Sequence, residues 1–361
     1  MPLRKKIVLI SNMFPPEIDG VADYTFLLGK ELAKKHEIYY INRSSLAVEQ
    51  WGYQAFKKAY RQIQDIRPHL ISLQYVPFSF HPKGLPFLLI LFWLLLRIKG
   101  QLLQVTFHEV AIGFSKTSWR QNFGALAQRL IAWLLCFISQ AVFTSVGLYY
   151  AMLKPFNQNT KQVFIGANLP WVQKCSKDQH LIICSFNNRI NFTLLETLSK
   201  LIEADYPVKL VGIGKISDCL MKELRNSIEQ LNLQDHVNLK NPATAIDLSQ
   251  EMAKADIYIQ MEWTNEKGEG GISLKSGALM AAMFNQLPII STFGKMTDLE
   301  ILNESTGVLF YDHKSALIDQ IKVLADDENY RLKLALHAKA FYSAHCTWEK
   351  VAQHYEQLAD D

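Results

Sequence analysis

At 361 residues the chain exceeds the roughly 250 at which single cores stop growing, so two domains are expected. Hydrophobic residues make up 49% and charged residues 20%, which excludes disordered and collagen-like chains. The net charge of +4 divides unevenly: residues 1–175 carry 20 Lys/Arg against 8 Asp/Glu, and the remainder 18 against 26.

The N-terminus runs straight into an apolar stretch at Ile7 to Ile10, without the longer run and small-residue cleavage site of a secretory signal. β-Branched runs follow at Ile38 to Ile41, Leu70 to Leu73, Leu103 to Phe107 and Ala141 to Thr144, separated by longer helical stretches. This alternation predicts a doubly wound parallel sheet. The most apolar run, Leu85 to Leu96, falls short of the roughly 20 residues a bilayer span requires. A pause at Val163 to Pro170 precedes a second series: Leu181 to Ser185, Val208 to Val211, Val237 to Leu239, Ile257 to Gln260 and Pro288 to Ser291. The expected fold class is α/β, with two Rossmann-like domains and a cleft between them. Residues 1–172 form the first, 173–341 the second, with the linker near 170–178. In the closing segment, 342–361, a helix after Thr347 carries Trp348, Val351 and Tyr355 on one face and is expected to pack back toward the first domain. Five cysteines, at 136, 175, 184, 219 and 346, never occur as Cys-x-x-Cys, which argues against a disulfide framework or zinc site and for a cytoplasmic protein.

Two Rossmann-like halves place helix N-termini at the carboxyl ends of their sheets, where anionic ligands bind. In Asn12-Met-Phe-Pro-Pro-Glu-Ile-Asp-Gly-Val-Ala-Asp-Tyr24, Gly20 lets backbone approach a ligand, although Pro-Pro followed by Asp-Gly is also ordinary turn chemistry. His108, in Thr106-Phe-His-Glu-Val110, stands at the end of a strand and either contacts a ligand or caps that strand. Gly268-Glu-Gly-Gly-Ile-Ser-Leu-Lys-Ser-Gly-Ala-Leu-Met-Ala-Ala-Met283 reads as a glycine-rich loop entering a helix. Converging amides, the helix dipole, Lys275 and Ser276 could hold an anionic group such as a phosphate. The alternative is a helix capped by Ser273 with Lys275 in solvent.

Taken together, these passages resemble the retaining glycosyltransferases of GT-B fold, specifically glycosyltransferase family 4. Phe14-Pro-Pro16 and Gly20 match its first loop, with Asp19 in place of the first of two glycines. Gln74-Tyr-Val-Pro77 and Thr106 to Val110 look like strand ends that face the family's cleft. The resemblance implies His108 and Glu269 as catalytic residues, with Tyr75 and Glu109 on the acceptor. It implies Gly20, Arg189, Gly212, Gly270, Gly271, Ile272, Ser273, Lys275 and Ser276 on the donor. The chain departs from the pattern twice. The family's second glutamate falls at Gly277, and of an arginine and lysine that clamp the diphosphate only Arg189 is present.

By the same resemblance the donor is a UDP- or GDP-sugar, no metal or other cofactor is needed, and the acceptor is a glycan or lipid-linked glycan in polysaccharide or glycoconjugate synthesis. The basic first half and Leu85 to Leu96 either rest on an anionic membrane surface, making the protein peripheral on the cytoplasmic face, or are solvated lysines and a buried core segment with no such partner. Nucleic acid is not expected, because no recognition motif or interleaved aromatics accompany the basic residues. A non-catalytic GT-B module supporting an active partner is the second reading, motivated by Gly277 and the missing lysine.

Overall fold

Parallel strands are covered on both faces and need near-continuous apolar runs, which Ile7, Val8, Leu9 and Ile10 supply at 0% exposure. The computed structural model describes residues 4–15, 17, 19–174, 179–242, 244–265 and 268–360. They form two compact units, each built on one six-stranded parallel sheet.

The first unit alternates β1 (Lys6–Ile10), α1 (Gly20–Leu32), β2 (Glu37–Ile41), α2 (Tyr53–Ile66) and β3 (Leu70–Tyr75). It continues through α3 (Pro77–Phe80), α4 (Phe87–Ile98), β4 (Leu103–Phe107), α5 (Trp119–Ile138), β5 (Ala141–Thr144), α6 (Gly147–Leu153) and β6 (Thr160–Gln162). Strand order is β2-β1-β3-β4-β5-β6. The polar Thr-Lys-Gln of β6 escapes the apolar pattern because an edge strand is paired and covered on fewer sides. In α4, Leu89, Phe92, Trp93 and Leu96 are buried and Trp93 Nε1 donates to Ser139 Oγ at 2.8 Å. Among the described residues no helix is long and apolar enough to cross a membrane.

The second unit holds β7 (Leu181–Phe186), α7 (Phe192–Glu203), β8 (Val208–Ile213), α8 (Asp218–Gln230), β9 (Val237–Leu239), α9 (Ala245–Met252) and β10 (Ile257–Gln260). There follow α10 (Gly277–Phe284), β11 (Ile289–Thr292), β12 (Val308–Tyr311), α11 (Lys314–Asp326) and α12 (Glu328–His345). Its strand order, β12-β11-β10-β7-β8-β9, reverses direction between β7 and β10. Loops leaving those two strands must part to opposite sides, which opens a crevice at their carboxyl ends.

The chain returns to the first unit in α13 (Trp348–Asp360), where Val351, Ala352 and Tyr355 join Ile7, Leu9, Tyr24 and Leu28 in one core. The units divide at Ile165/Gly166 and Thr347/Trp348, which moves the expected boundaries at 172/173 and 341/342. Tyr342 explains both shifts. It is buried in the second unit, its ring lies 4.8 Å from that of Phe284, and its hydroxyl accepts the Ala167 amide at 3.1 Å. Cys175 and residues 176–178 of the expected linker lie outside the described residues.

Candidate functional site

The crevice of the second unit contains a cavity of about 480 Å³. Phe186, Asn188 and Arg189 line it from the end of β7, and Glu262 and Trp263 from the end of β10. Ser273, Lys275, Ser276, Gly277 and Ala278 line it from the entry to α10.

Each wall has a local cause. After β7 the chain makes a 3-10 turn, Asn187–Arg189, because the buried Asn187 amide donates to the carbonyls of Gly214 and Lys240, at 2.5 and 2.9 Å. That turn presents Arg189, whose Nη1 donates to Glu262 Oε2 at 2.7 Å. Glu262 is fixed from its other side by Gln260 Nε2 at 2.5 Å, and the same amide reaches Ser276 Oγ at 3.0 Å. Ser276 caps α10 by accepting the Leu279 amide, so the helix starts at Gly277 and its positive end meets the cavity. The expected alternative cap, Ser273, sits a turn earlier and is a buried lining residue.

Most of the glycine-rich loop's described amides are spent on the loop itself. Gly268, Gly270 and Gly271 have φ of +68°, +92° and +85°. A Cβ on Gly270 would meet the Trp263 carbonyl, and one on Gly271 the backbone of Phe293 and Gly294. The amides of Gly268, Gly271 and Ile272 donate to the carbonyls of Asn265, Trp263 and Thr292, and that of Glu269 to Asn265 Oδ1. These four amides are engaged in holding the loop down, which takes them out of the expected convergence on an anion. Among the described residues, the cationic groups lining the cavity are Arg189 and Lys275.

In the first unit His108 follows β4 and heads a chain of buried polar contacts. Its Nε2 lies 3.0 Å from Gln74 Oε1, and its ring packs edge-on to Tyr24 at 4.8 Å. Gln74 Nε2 donates to Ser72 Oγ, which donates to Gln104 Oε1, and Gln104 Nε2 donates to Thr106 Oγ1. Thr106 meets Tyr355 of α13 at 2.6 Å, and Tyr355 meets Tyr24 at 3.2 Å. With the Gln74 amide nitrogen already donating, its oxygen takes the Nε2 proton of His108 and fixes that tautomer. Burial pushes the pKa of both phenols up, so they act as neutral hydroxyls. Tyr355→Phe is expected to destabilise the protein by about 1–3 kcal/mol, because Thr106 and Tyr24 each lose a buried partner. Urea denaturation measures this, and an unchanged midpoint would show the network to be dispensable.

No protein-family model matches the chain. A GDP-Man:Man(3)GlcNAc(2)-PP-Dol alpha-1,2-mannosyltransferase from Dictyostelium discoideum is 27% identical over 162 residues, 41% of this chain. The match spans 30% of that relative's length. Among solved structures, sucrose-phosphate synthase from Thermosynechococcus elongatus superimposes with TM-score 0.72 at 15% identity, covering 99% of this chain and 98% of that one. Anabaena Alr3699/HepE in complex with UDP gives 0.69 at 13%, covering 98% and 99%. A glycosyltransferase from Rickettsia africae gives 0.70 at 12%, covering 99% and 98%. The chain has the GT-B fold.

On this GT-B scaffold the structure sorts the residues singled out from sequence. Arg189, Gly270, Gly271, Ser273, Lys275 and Ser276 come together at the cavity. Ile272 does not, being 0% exposed in the core with its amide on Thr292. Glu269 is not among the lining residues, and its carboxylate is held by Asn265 Nδ2 at 2.8 Å; among the described residues the carboxylate in the wall is Glu262. Gly212 is a packing residue, since a Cβ there would overlap Asn187, Ile190 and Leu239. Gly20 has open space around it and no positive φ, while Asp19 takes the amides of Val21 and Ala22 that an anion at α1 would need. Pro16 and Ile18 of that first loop lie outside the described residues.

Tyr75 is corrected outright: it is 0% exposed, packs on Phe107 at 5.1 Å and Phe80 at 6.4 Å, and cannot meet an acceptor. Side chains alternate along β3, so Gln74 faces His108 and Tyr75 the other side. Glu109 is exposed beside His108. Sequence reasoning missed Glu262, Gln260 and the Ser72, Gln104, Tyr355 chain. The available signal was polar residues at every second position of β3 and β4, where a doubly covered strand ordinarily stays apolar.

Proposed function

We propose that the chain is a retaining, metal-independent glycosyltransferase of glycosyltransferase family 4, moving a sugar from a UDP- or GDP-sugar to a glycan or lipid-linked acceptor in polysaccharide or glycoconjugate synthesis. The observation that carries this reading is a cavity at the β7/β10 reversal where Arg189, Lys275 and the start of α10 concentrate positive charge. Loss of a nucleoside diphosphate needs that charge as the sugar–oxygen bond breaks, and cations positioned in the wall supply it. Glu262 orients Arg189 in the resting site. In the first unit, His108 offers a ring held by Gln74 and Tyr24 for hydrogen-bonding a sugar hydroxyl, and the acceptor hydroxyl attacks from the face the diphosphate leaves.

The relatives add support by what they are named for: a mannosyl transfer from GDP-mannose to a dolichol-linked glycan, and complexes with UDP and with UDP-glucose.

A thermal-shift panel of UDP, GDP and their sugars tests the reading. One nucleoside diphosphate should stabilise the protein by about 2.7 kcal/mol at hundredfold excess over its Kd. Incubating the matching sugar nucleotide should then release that diphosphate as the sugar passes to an added glycan acceptor or, more slowly, to water. If neither base raises the melting temperature, the proposal fails.

A further inference from the structure

Two helices of the first unit carry apolar residues where a water-facing helix carries polar ones. On α4 the exposed set is Phe87, Leu88, Leu91, Leu94, Leu95 and Ile98; on α5 it is Trp119, Phe123, Leu126, Leu130, Leu134 and Phe137. The α5 set recurs at three- and four-residue intervals, which is a single stripe along one helix face. Exposure is 71% at Ile98, 73% at Trp119 and 77% at Phe137, so these are not margins of the core. Each helix also buries a second stripe, with Leu89, Phe92, Trp93 and Leu96 on α4 and Ala125, Ile131, Leu135 and Ile138 on α5. The core is therefore served by the inner stripes, and the outer ones face water. The two helices pack against each other, and apolar patches of this kind mark interaction surfaces.

The charge around them selects the partner. From Arg67 to Lys161 the sequence has nine Lys/Arg and a single acidic residue, Glu109. Lys83, Arg97, Lys99, Lys116 and Arg120 are exposed and lie at or near the ends of the two helices. The guanidinium of Arg120 stands 5.7 Å from the Trp119 ring, a pairing of apolar body and charged tip that suits a lipid headgroup region. Two copies of this chain meeting through the same face would oppose cation to cation. The 12 residues of α4 extend only about 18 Å, against about 30 Å of hydrocarbon, so the helix would lie along a bilayer.

We propose that the outer stripes of α4 and α5 dock on the surface of an anionic lipid bilayer, with the apolar side chains at the acyl boundary and the flanking lysines and arginines on the headgroups. This inference does not depend on the transferase reading.

Flotation of the full chain with phosphatidylcholine vesicles, with and without phosphatidylglycerol, tests it. Vesicles containing phosphatidylglycerol should bind at least about tenfold more tightly, since each basic side chain near the surface adds attraction. Leu91→Glu with Ile98→Glu, and separately Trp119→Glu with Phe137→Glu, should each weaken that binding about tenfold or more while melting stays unchanged. Arg97→Glu with Lys99→Glu should abolish the lipid preference, and carries the test should either apolar pair fail to fold. Equal recovery from both vesicle types, recovery from neither, or a dimer in sedimentation velocity that the same substitutions dissolve would each overturn the inference.

Discussion

Gly271→Ala should weaken nucleoside diphosphate binding about a hundredfold or more while leaving a folded protein. At φ +85° an alanine takes on a left-handed backbone costing about 1–2 kcal/mol, and its Cβ overlaps main-chain atoms of Phe293 and Gly294 that cannot rotate away. Relief of that overlap costs a further ~1–3 kcal/mol, still below the roughly 5–15 kcal/mol of an ordinary domain. The cheaper response is for the loop to lift, which breaks the bonds from Gly271 to Trp263 and from Ile272 to Thr292 and displaces Ser273 and Lys275 from the cavity wall. Binding of whichever of UDP and GDP the wild type takes should fall by about a hundredfold or more, as two or more charge-assisted contacts are lost together. Calorimetric titration with a denaturation control measures both. Affinity within about twofold of wild type would remove the loop from the site.

The second large effect is a pair of substitutions with opposite signs. Arg189 is 36% exposed and Glu262 16%, and their 2.7 Å contact leaves the arginine engaged before any ligand arrives. A diphosphate must compete for that guanidinium and also sits near the carboxylate. Arg189→Ala removes a charge-assisted contact worth about 1.5–3 kcal/mol, so affinity should drop roughly ten- to hundredfold. Glu262→Gln keeps an acceptor for Gln260 but removes the competing charge, so affinity should rise, by about threefold to tenfold. Both effects should shrink as salt screens the site. Equal losses in the two variants would mean that Glu262 contacts the ligand directly, and no change in either would place the diphosphate elsewhere.

Much of this site could be read in the sequence because of where it falls in the fold. The segment after β10 had to be a glycine-rich turn into a helix, since three glycines in four residues can take the positive φ that no other residue holds there cheaply. Lys275 and Ser276 follow at fixed short distances, so local chain geometry alone carried them to the cavity. Arg189 was legible for the same reason, one turn beyond β7. Glu262 was not. Its role depends on Arg189, 73 residues away, and on Ser276, brought next to it by strand order. Glu269 had the matching sequence position, but its carboxylate is bonded by Asn265, four residues earlier, and it is not among the lining residues.

By itself the sequence determined that there are two parallel sheets and where most of their strands run, because burial on both faces demands apolar runs of strand length with helices between them. It also determined which glycines bend the loop. Only the tertiary structure decided that Tyr75 faces the core and Gln74 the histidine, that Gly212 makes room for Asn187, and that the units divide at Ile165 and Thr347. Those outcomes rest on contacts between residues far apart in the chain, and a contact across that distance leaves no period or spacing in the sequence from which it can be read.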